Sequence, residues 1–267
     1  HCHFIDNLPY VSGVNDPVWS NAYQSWNAIY PELERIKQNC CALIIEPIVQ
    51  GSGGMRCYSA DFLKKLAEWA KQNAIYVIAD EIMTGIGRTG KWLACEHAGI
   101  EPDLICLSKG LTSGSIPLSC VLIDHAIYDM FYDDYSKGKS FLHSHTYSGN
   151  ALAVSAALAT LNVIESEGII EQVQVLGDFM LDCFNQIARE TGKLVNVRSI
   201  GAIVAADMLN EENKRLSFSF YQEALKRGAL LRPLGNTLYW LPPLNTSTQT
   251  IVKLAEITLN SIYAVYN

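Results

Sequence analysis

Three strand-sized apolar runs, each closing on a polar residue, constrain this chain more than any other feature: CALIIEP at 41–47, AIYVIADE at 74–81 and DLICLSK at 103–109. They are rich in Ile, Leu and Val, the pattern of parallel strands covered on both faces. Between the first two lies ADFLKKLAEWAKQNA, where Phe62, Leu63, Leu66, Trp69 and Ala70 recur on one helical face and Ser59 stands at the N-cap position. Strand, helix and strand in that order predict a βαβ unit. Between the second and third runs come a glycine-rich loop, EIMTGIGRTGKW, and a short helix-like stretch, LACEHAGI. Ligands of such sheets sit beyond the carboxyl ends of the strands, so Glu46, Asp80 and Lys109 are expected near one crevice.

The second half has a different rhythm. NALAVSAALATLNVIESEG, at 150–168, is alanine-rich and long enough for a connecting helix. A further helix is expected through about residue 191, then strand-like VNVRSIGAIVAADM, a helix in FSFYQEALKRGA, strand-like ALLRP and NTLYWLPP, and a closing helix from Gln249. This alternation predicts a smaller α/β or α+β domain packed on the first. The expected division is 1–150 for the sheet domain, 151–168 for the connecting helix and 169–267 for the small domain.

Composition narrows the function classes. A chain of 267 residues with 49% hydrophobic residues can bury a sizeable core. The net charge of -7 and the lack of a Lys/Arg run argue against nucleic acid or an anionic membrane as the main partner. No apolar stretch approaches bilayer length, and HCHFIDNLPY lacks the basic start and apolar core of a signal peptide, which gives a cytoplasmic expectation. The eight cysteines show neither CxxC pairs nor the density of a disulfide scaffold, and most are expected as buried thiols in a reducing compartment. His143 and His145, with His1, Cys2 and His3, raise a zinc reading, which the absence of a second pair at ligand spacing weakens.

Lys109 and Asp80 carry the sharper chemistry. A lysine amine at the mouth of an apolar site can form a Schiff base with an aldehyde, because burial exposes its nucleophilic form. Pyridoxal phosphate exploits this reaction, and a carboxylate across its ring keeps the pyridine nitrogen protonated. An Asp and a Lys at the ends of neighbouring strands could reach opposite sides of one ring. Taken singly, Lys109 could cap a strand end in water and Asp80 a helix. A competing motif is GIGRTGK, at 85–91, with the spacing of a phosphate-binding P-loop. Trp92 stands where such a loop needs Ser or Thr, and the loop lies after the acidic strand rather than before it.

Four blocks, IIEPIVQGSGGM, IADEIMTGIGRTGKWLACEHAGIEPDLICLSKGLTSG, HTYSGN and LLRPLGNTLYWLPP, resemble in order and spacing the class III, fold-type I aminotransferases that use pyridoxal phosphate. The resemblance runs from about residue 42 to the C-terminus. Gln50-Gly51-Ser52 stands where ornithine and GABA types carry QGE, and LYWLPP has no arginine immediately before its proline pair. These details are most similar to the adenosylmethionine-8-amino-7-oxononanoate branch of the family, in biotin biosynthesis. That branch implies 8-amino-7-oxononanoate as acceptor, S-adenosylmethionine as donor and a homodimer with shared sites.

The resemblance also implies roles. Lys109 would hold the cofactor aldehyde and shuttle the proton; Asp80 would bind the pyridinium nitrogen. Thr146, with His145, matches the stretch that reaches the phosphate of the other subunit's cofactor, while Ser144 matches a substrate contact. Ser144 and His145 stand where the branch commonly has glycine and proline. Arg232 would meet the distal carboxylate of the acceptor, and Arg88 would lie near the substrate pocket or serve the loop. The family's phosphate-binding glycine/serine loop and ring-covering aromatic belong to a portion preceding these blocks, GSGG at 51–54 being a different block, so an incomplete site is expected. Other readings are another class III aminotransferase of omega-amino acid, ornithine or GABA type, an aminomutase of the same fold, and a non-catalytic, cofactor-free body covered by another copy.

Overall fold

The computed structural model describes residues 2–209 and 215–266. The chain begins with α1 (Tyr23–Ile36), which buries Ile29 and Leu33 and sets Trp26 edge-on against Phe62. Sequence reasoning did not anticipate this helix. It tolerates Pro31 because Pro31 and Asn27, whose carbonyl loses its partner, both face water. There follow β1 (Ala42–Ile45), the short antiparallel pair β2 (Val49–Gln50) and β3 (Arg56–Cys57), and α2 (Ala60–Gln72). The Ser59 hydroxyl accepts the Phe62 amide at 3.2 Å, and the expected face of α2 is buried. Next come β4 (Tyr76–Asp80), β5 (Leu104–Leu107), β6 (Cys120–Ile123) and α3 (His125–Phe131).

The large sheet has the order β1-β4-β5-β6, parallel except for β6, which returns antiparallel to β5. The βαβ unit is present as expected. The expectation that both faces are covered is corrected: among the described residues α2 is the one helix packed broadly on this sheet. Residues on its side, such as Val77 and Ala79, are buried, whereas Ile44 on the opposite face is 66% exposed. Val121, Leu122 and Ile123 of β6 are exposed as well.

α4 (Ala151–Ser166), capped by Asn150, leads into α5 (Ile169–Thr191), both as expected. Then come β7 (Leu194–Ile200), β8 (Ile203–Met208), α6 (Leu216–Lys226), β9 (Thr237–Trp240) and α7 (Thr248–Tyr266). The run VNVRSIGAIVAADM is thus a hairpin turning at Gly201, and β9 completes a three-stranded antiparallel sheet. Trp240 packs edge-on against Phe184 at 4.5 Å and donates its indole N–H to Thr258. ALLRP is not a strand: it joins no ladder, because Pro233 has no N–H to give and only Leu234 bridges Thr237.

The two halves share their cores. Ile200, Ile203 and Ala205 of the hairpin pack with α1 and α2, while Ile86, Leu107 and Leu111 pack with α5 and the small sheet. No single helix among the described residues is long and apolar enough to cross a membrane. All eight cysteines are free, and only Cys57 and Cys95 are buried, which corrects the expectation for the others. Cys41 and Cys106 are exposed and half-buried because they lie at the sheet's uncovered face or edge.

Candidate active site

Parallel strands deliver three charged side chains to one edge of the large sheet. Glu46 directly follows β1, Asp80 ends β4 and Lys109 lies two residues past β5. Ile45 is paired with Ala79 and Asp80 with Cys106, so Glu46, Asp80 and Cys106 come level in adjacent strands and share the uncovered face. Burial lifts the Glu46 pKa above the usual carboxylate range; the Gly51 N–H opposes that rise, the Asp80 charge adds to it and the Lys109 charge opposes it. Glu46 therefore lies within reach of the charges of both other expected residues.

Asp80 accepts the Ile82 amide at Oδ1, 3.1 Å, and Oδ2 has no hydrogen-bond partner among the described residues. No helix begins there, so the helix-cap role does not apply. Lys109 opens a single 3-10 turn, Lys109–Thr112, after an extended Ser108. Its φ of 40° lies in the left-handed region, which a side chain with a Cβ rarely adopts. The turn is locked by the Leu111 amide on the Ser108 carbonyl and by the Ser108 hydroxyl on the Leu118 carbonyl, 2.9 and 2.6 Å. Lys109 is exposed and makes no ion pair among the described residues. It lines a cavity of about 880 Å³ with Arg88, Ile86, Thr112, Val163 and Leu244.

The glycine-rich loop is organised by Glu81, which sequence reasoning gave no role. Fully buried, it accepts the Thr84 hydroxyl at 2.6 Å and the Cys95 amide at 2.8 Å, pinning both ends of the loop. Arg88 donates through Nη1 to the carbonyls of Pro242 and Ala202, 2.7 and 3.2 Å, and burial draws its pKa down to about 10. Of its two expected roles the geometry displays the loop role, although Arg88 also borders the cavity. Gly201 makes this crossing possible: at φ 49° it lies between the Arg88–Thr89 backbone and Gly177 of α5, where an added Cβ would overlap backbone atoms. His97 bonds the Thr89 carbonyl at 3.1 Å, and burial lowers its pKa.

The loop's amides answer the P-loop reading. Gly87, Arg88 and Gly90 bond to Trp92, Gly85 and Gly87 carbonyls, and no α-helix starts after Lys91. In GSGG the Gly51 amide serves Glu46 and the Gly54 amide the Gly51 carbonyl, while the Gly54 carbonyl accepts Arg198. Arg198, a second residue missed from sequence, is buried and also pairs with Asp207 at 2.9 Å. Its only signal was an arginine inside the apolar strand-like run.

The remaining expected residues lie apart from the cavity. Ser144, His145 and Thr146 are exposed in the segment before α4, where the Tyr147 amide bonds His145 Nδ1 at 3.1 Å. Arg232 is exposed and makes no hydrogen bond or ion pair among the described residues. No cluster of three His, Cys, Asp or Glu suited to a metal occurs among the described residues, and His1 of the zinc reading lies outside them.

Comparison with known proteins matches residues 3–262 to the family model described as aminotransferase class-III. The chain is 40% identical over 239 residues to adenosylmethionine-8-amino-7-oxononanoate aminotransferase of Helicobacter pylori, which covers 87% of this chain and 55% of that protein. The crystal structure of the enzyme so named from Methanocaldococcus jannaschii superposes with a TM-score of 0.82 at 29% identity, over 92% of this chain and 58% of that one. An amine transaminase from an uncultivated Pseudomonas species, solved in the PLP-bound form, gives 0.81 at 30% identity over 90% and 57%. The chain thus spans about half the length of the relatives it matches.

Proposed function

Because the chain belongs to the class III aminotransferases, fold-type I enzymes dependent on pyridoxal phosphate, we propose that it carries the lysine-bearing part of a transaminase site. The convergence of Asp80 and Lys109 at the carboxyl edge of one sheet is the observation that supports this most.

The residues fit the cofactor's chemistry. Among the described residues Lys109 offers an amine without a competing ion pair and Asp80 an oxygen open for a ring N–H, and the neighbouring cavity has apolar walls. Pyridoxal phosphate, when bound, supplies an aldehyde and an electron-accepting ring. Lys109 would hold it through the amine, then carry the proton to or from the substrate carbon. Asp80 would keep a proton at the ring nitrogen, a charge contact of the kind worth several kcal/mol, about 3–4, to a chemical step. Ile86, Val163 and Leu244 would exclude water. The Gly51 and Gly54 amides of GSGG are already bonded, to Glu46 and to the Gly51 carbonyl, and the phosphate is assigned to Thr146 and His145 of a second copy.

Within the family, the acceptor assigned is 8-amino-7-oxononanoate and the donor S-adenosylmethionine, in biotin biosynthesis in the cytoplasm. The supporting facts are the names of the relatives and the Gln50-Gly51-Ser52 block. The sheet domain 1–150, connecting helix 151–168 and small domain 169–267 are the proposed division.

The test is covalent. Addition of pyridoxal phosphate should give a visible absorption band, and borohydride should then fix pyridoxyl on the peptide containing Lys109. Label on Lys91, or none on this chain, overturns the assignment.

A further inference from the structure

Glu46 is a half-buried acid with no ion-pair partner among the described residues, at a place where another acid already stands. Its position is built. Register puts it level with Asp80 on the same sheet face, strands apart by about 4.8 Å. The Gly51 amide donates to Oε2 at 2.8 Å, and a Cβ on Gly51 would come within 3.2 Å of that oxygen and 2.9 Å of Met83 Cε. Tyr58, buried below, donates its hydroxyl to the Glu46 carbonyl at 2.7 Å and fixes the backbone. The groups that face the pair from the surrounding elements are Lys109 after β5, Cys106 on β5, and the Tyr58 hydroxyl with Glu81 and Cys95 behind it.

This arrangement works against folding. A carboxyl whose folded pKa is raised binds its proton more tightly folded than unfolded, so its contribution falls as pH rises from the unfolded value through the folded one. At neutral pH the charge is a net cost, yet a backbone amide holds it beside a like charge. We propose that Glu46 is a positioning residue of this site: its carboxylate adds to the negative charge that Asp80 presents, so the pair selects a protonated nitrogen heterocycle over the same ring without that nitrogen. The proposal rests on the reading of Asp80 as the ring-nitrogen partner.

The experiment has two arms, both on the full chain. Without ligand, carboxyl-labelled protein is titrated by NMR: Glu46 should titrate above the ordinary glutamate value of about 4.3, and Asp80→Asn should bring it down. A Glu46 midpoint indifferent to Asp80→Asn overturns the pairing. With ligand, binding of pyridoxal phosphate is compared with that of its analogue carrying carbon in place of the ring nitrogen. Glu46→Gln should weaken the first by about tenfold, the scale of one nearby charge at a partly screened site, leave the second within about twofold, and raise the melting temperature at pH 7. Glu46→Asp should recover part of the loss. Equal loss for both ligands would mark Glu46 as structural and overturn the proposal. If the unaltered chain binds neither ligand, the functional reading fails by itself, and the titration alone decides whether the pair exists.

Discussion

Arg88 and Arg232 both sit next to glycine turns, yet the fold treats them oppositely. Arg88 is committed to two backbone carbonyls, 114 and 154 residues away, while Arg232 is exposed and has no partner among the described residues. Arg232 has its whole planar fork available to a carboxylate, whereas Arg88 has Nη1 engaged. In an assembly that transaminates, Arg232→Ala should raise KM for the carboxylate-bearing acceptor by about tenfold or more, the scale of a charged hydrogen bond, and leave the donor half-reaction nearly unchanged. Arg232→Lys should rescue partly. Kinetics of the separate half-reactions check this; equal damage to both would assign Arg232 to the fold. Legibility at this scale follows distance along the chain. Asp80 and Lys109 could be read because each ends its own strand. The carbonyl partners of Arg88, and the burial of Glu81 and Arg198, depend on segments that meet only after folding.

Among the elements, α2 was fully legible, since its apolar period and Ser59 cap are local. α1 was hidden by Pro31, and β6 by having no sequence neighbour that marks it as an antiparallel return. ALLRP carried strand residues, but Pro233 has no N–H to give a ladder and only Leu234 bridges Thr237. The β7–β8 hairpin shows why its turn is glycine. Gly201 has φ 49° and no room for a side chain against Arg88 and Thr89. Gly201→Ala should cost about 3 kcal/mol or more, combining left-handed strain with overpacking. Urea unfolding of the chain measures it directly. A loss below about 1 kcal/mol would mean that the loop and hairpin separate easily. Gly228→Ala, a C-terminal turn with φ 93° and open space around it, isolates the backbone strain from the overlap.

At the scale of the molecule, composition gave a large core but could not say which apolar residues lie outside it. Ile44, Val121, Leu122, Phe141, Leu142, Tyr147 and Leu152 are all exposed. Phe141, Leu142, Tyr147 and Leu152 are exposed within one short segment of the chain, where a second copy could cover them. Sedimentation velocity should therefore show self-association that grows with concentration, and Leu142→Asp, 84% exposed and in no core, should weaken it without changing the circular dichroism spectrum. A single monomer species at every concentration would sink this expectation. The contact of Gly201 with Thr89 and Gly177 governs motion. With backbone against backbone there is no slack between the glycine-rich loop, the hairpin and α5, so these three can move only together. Amide exchange at Gly90, Ala202 and Gly177 should then share one opening rate, and any hinge in the chain must lie outside that block.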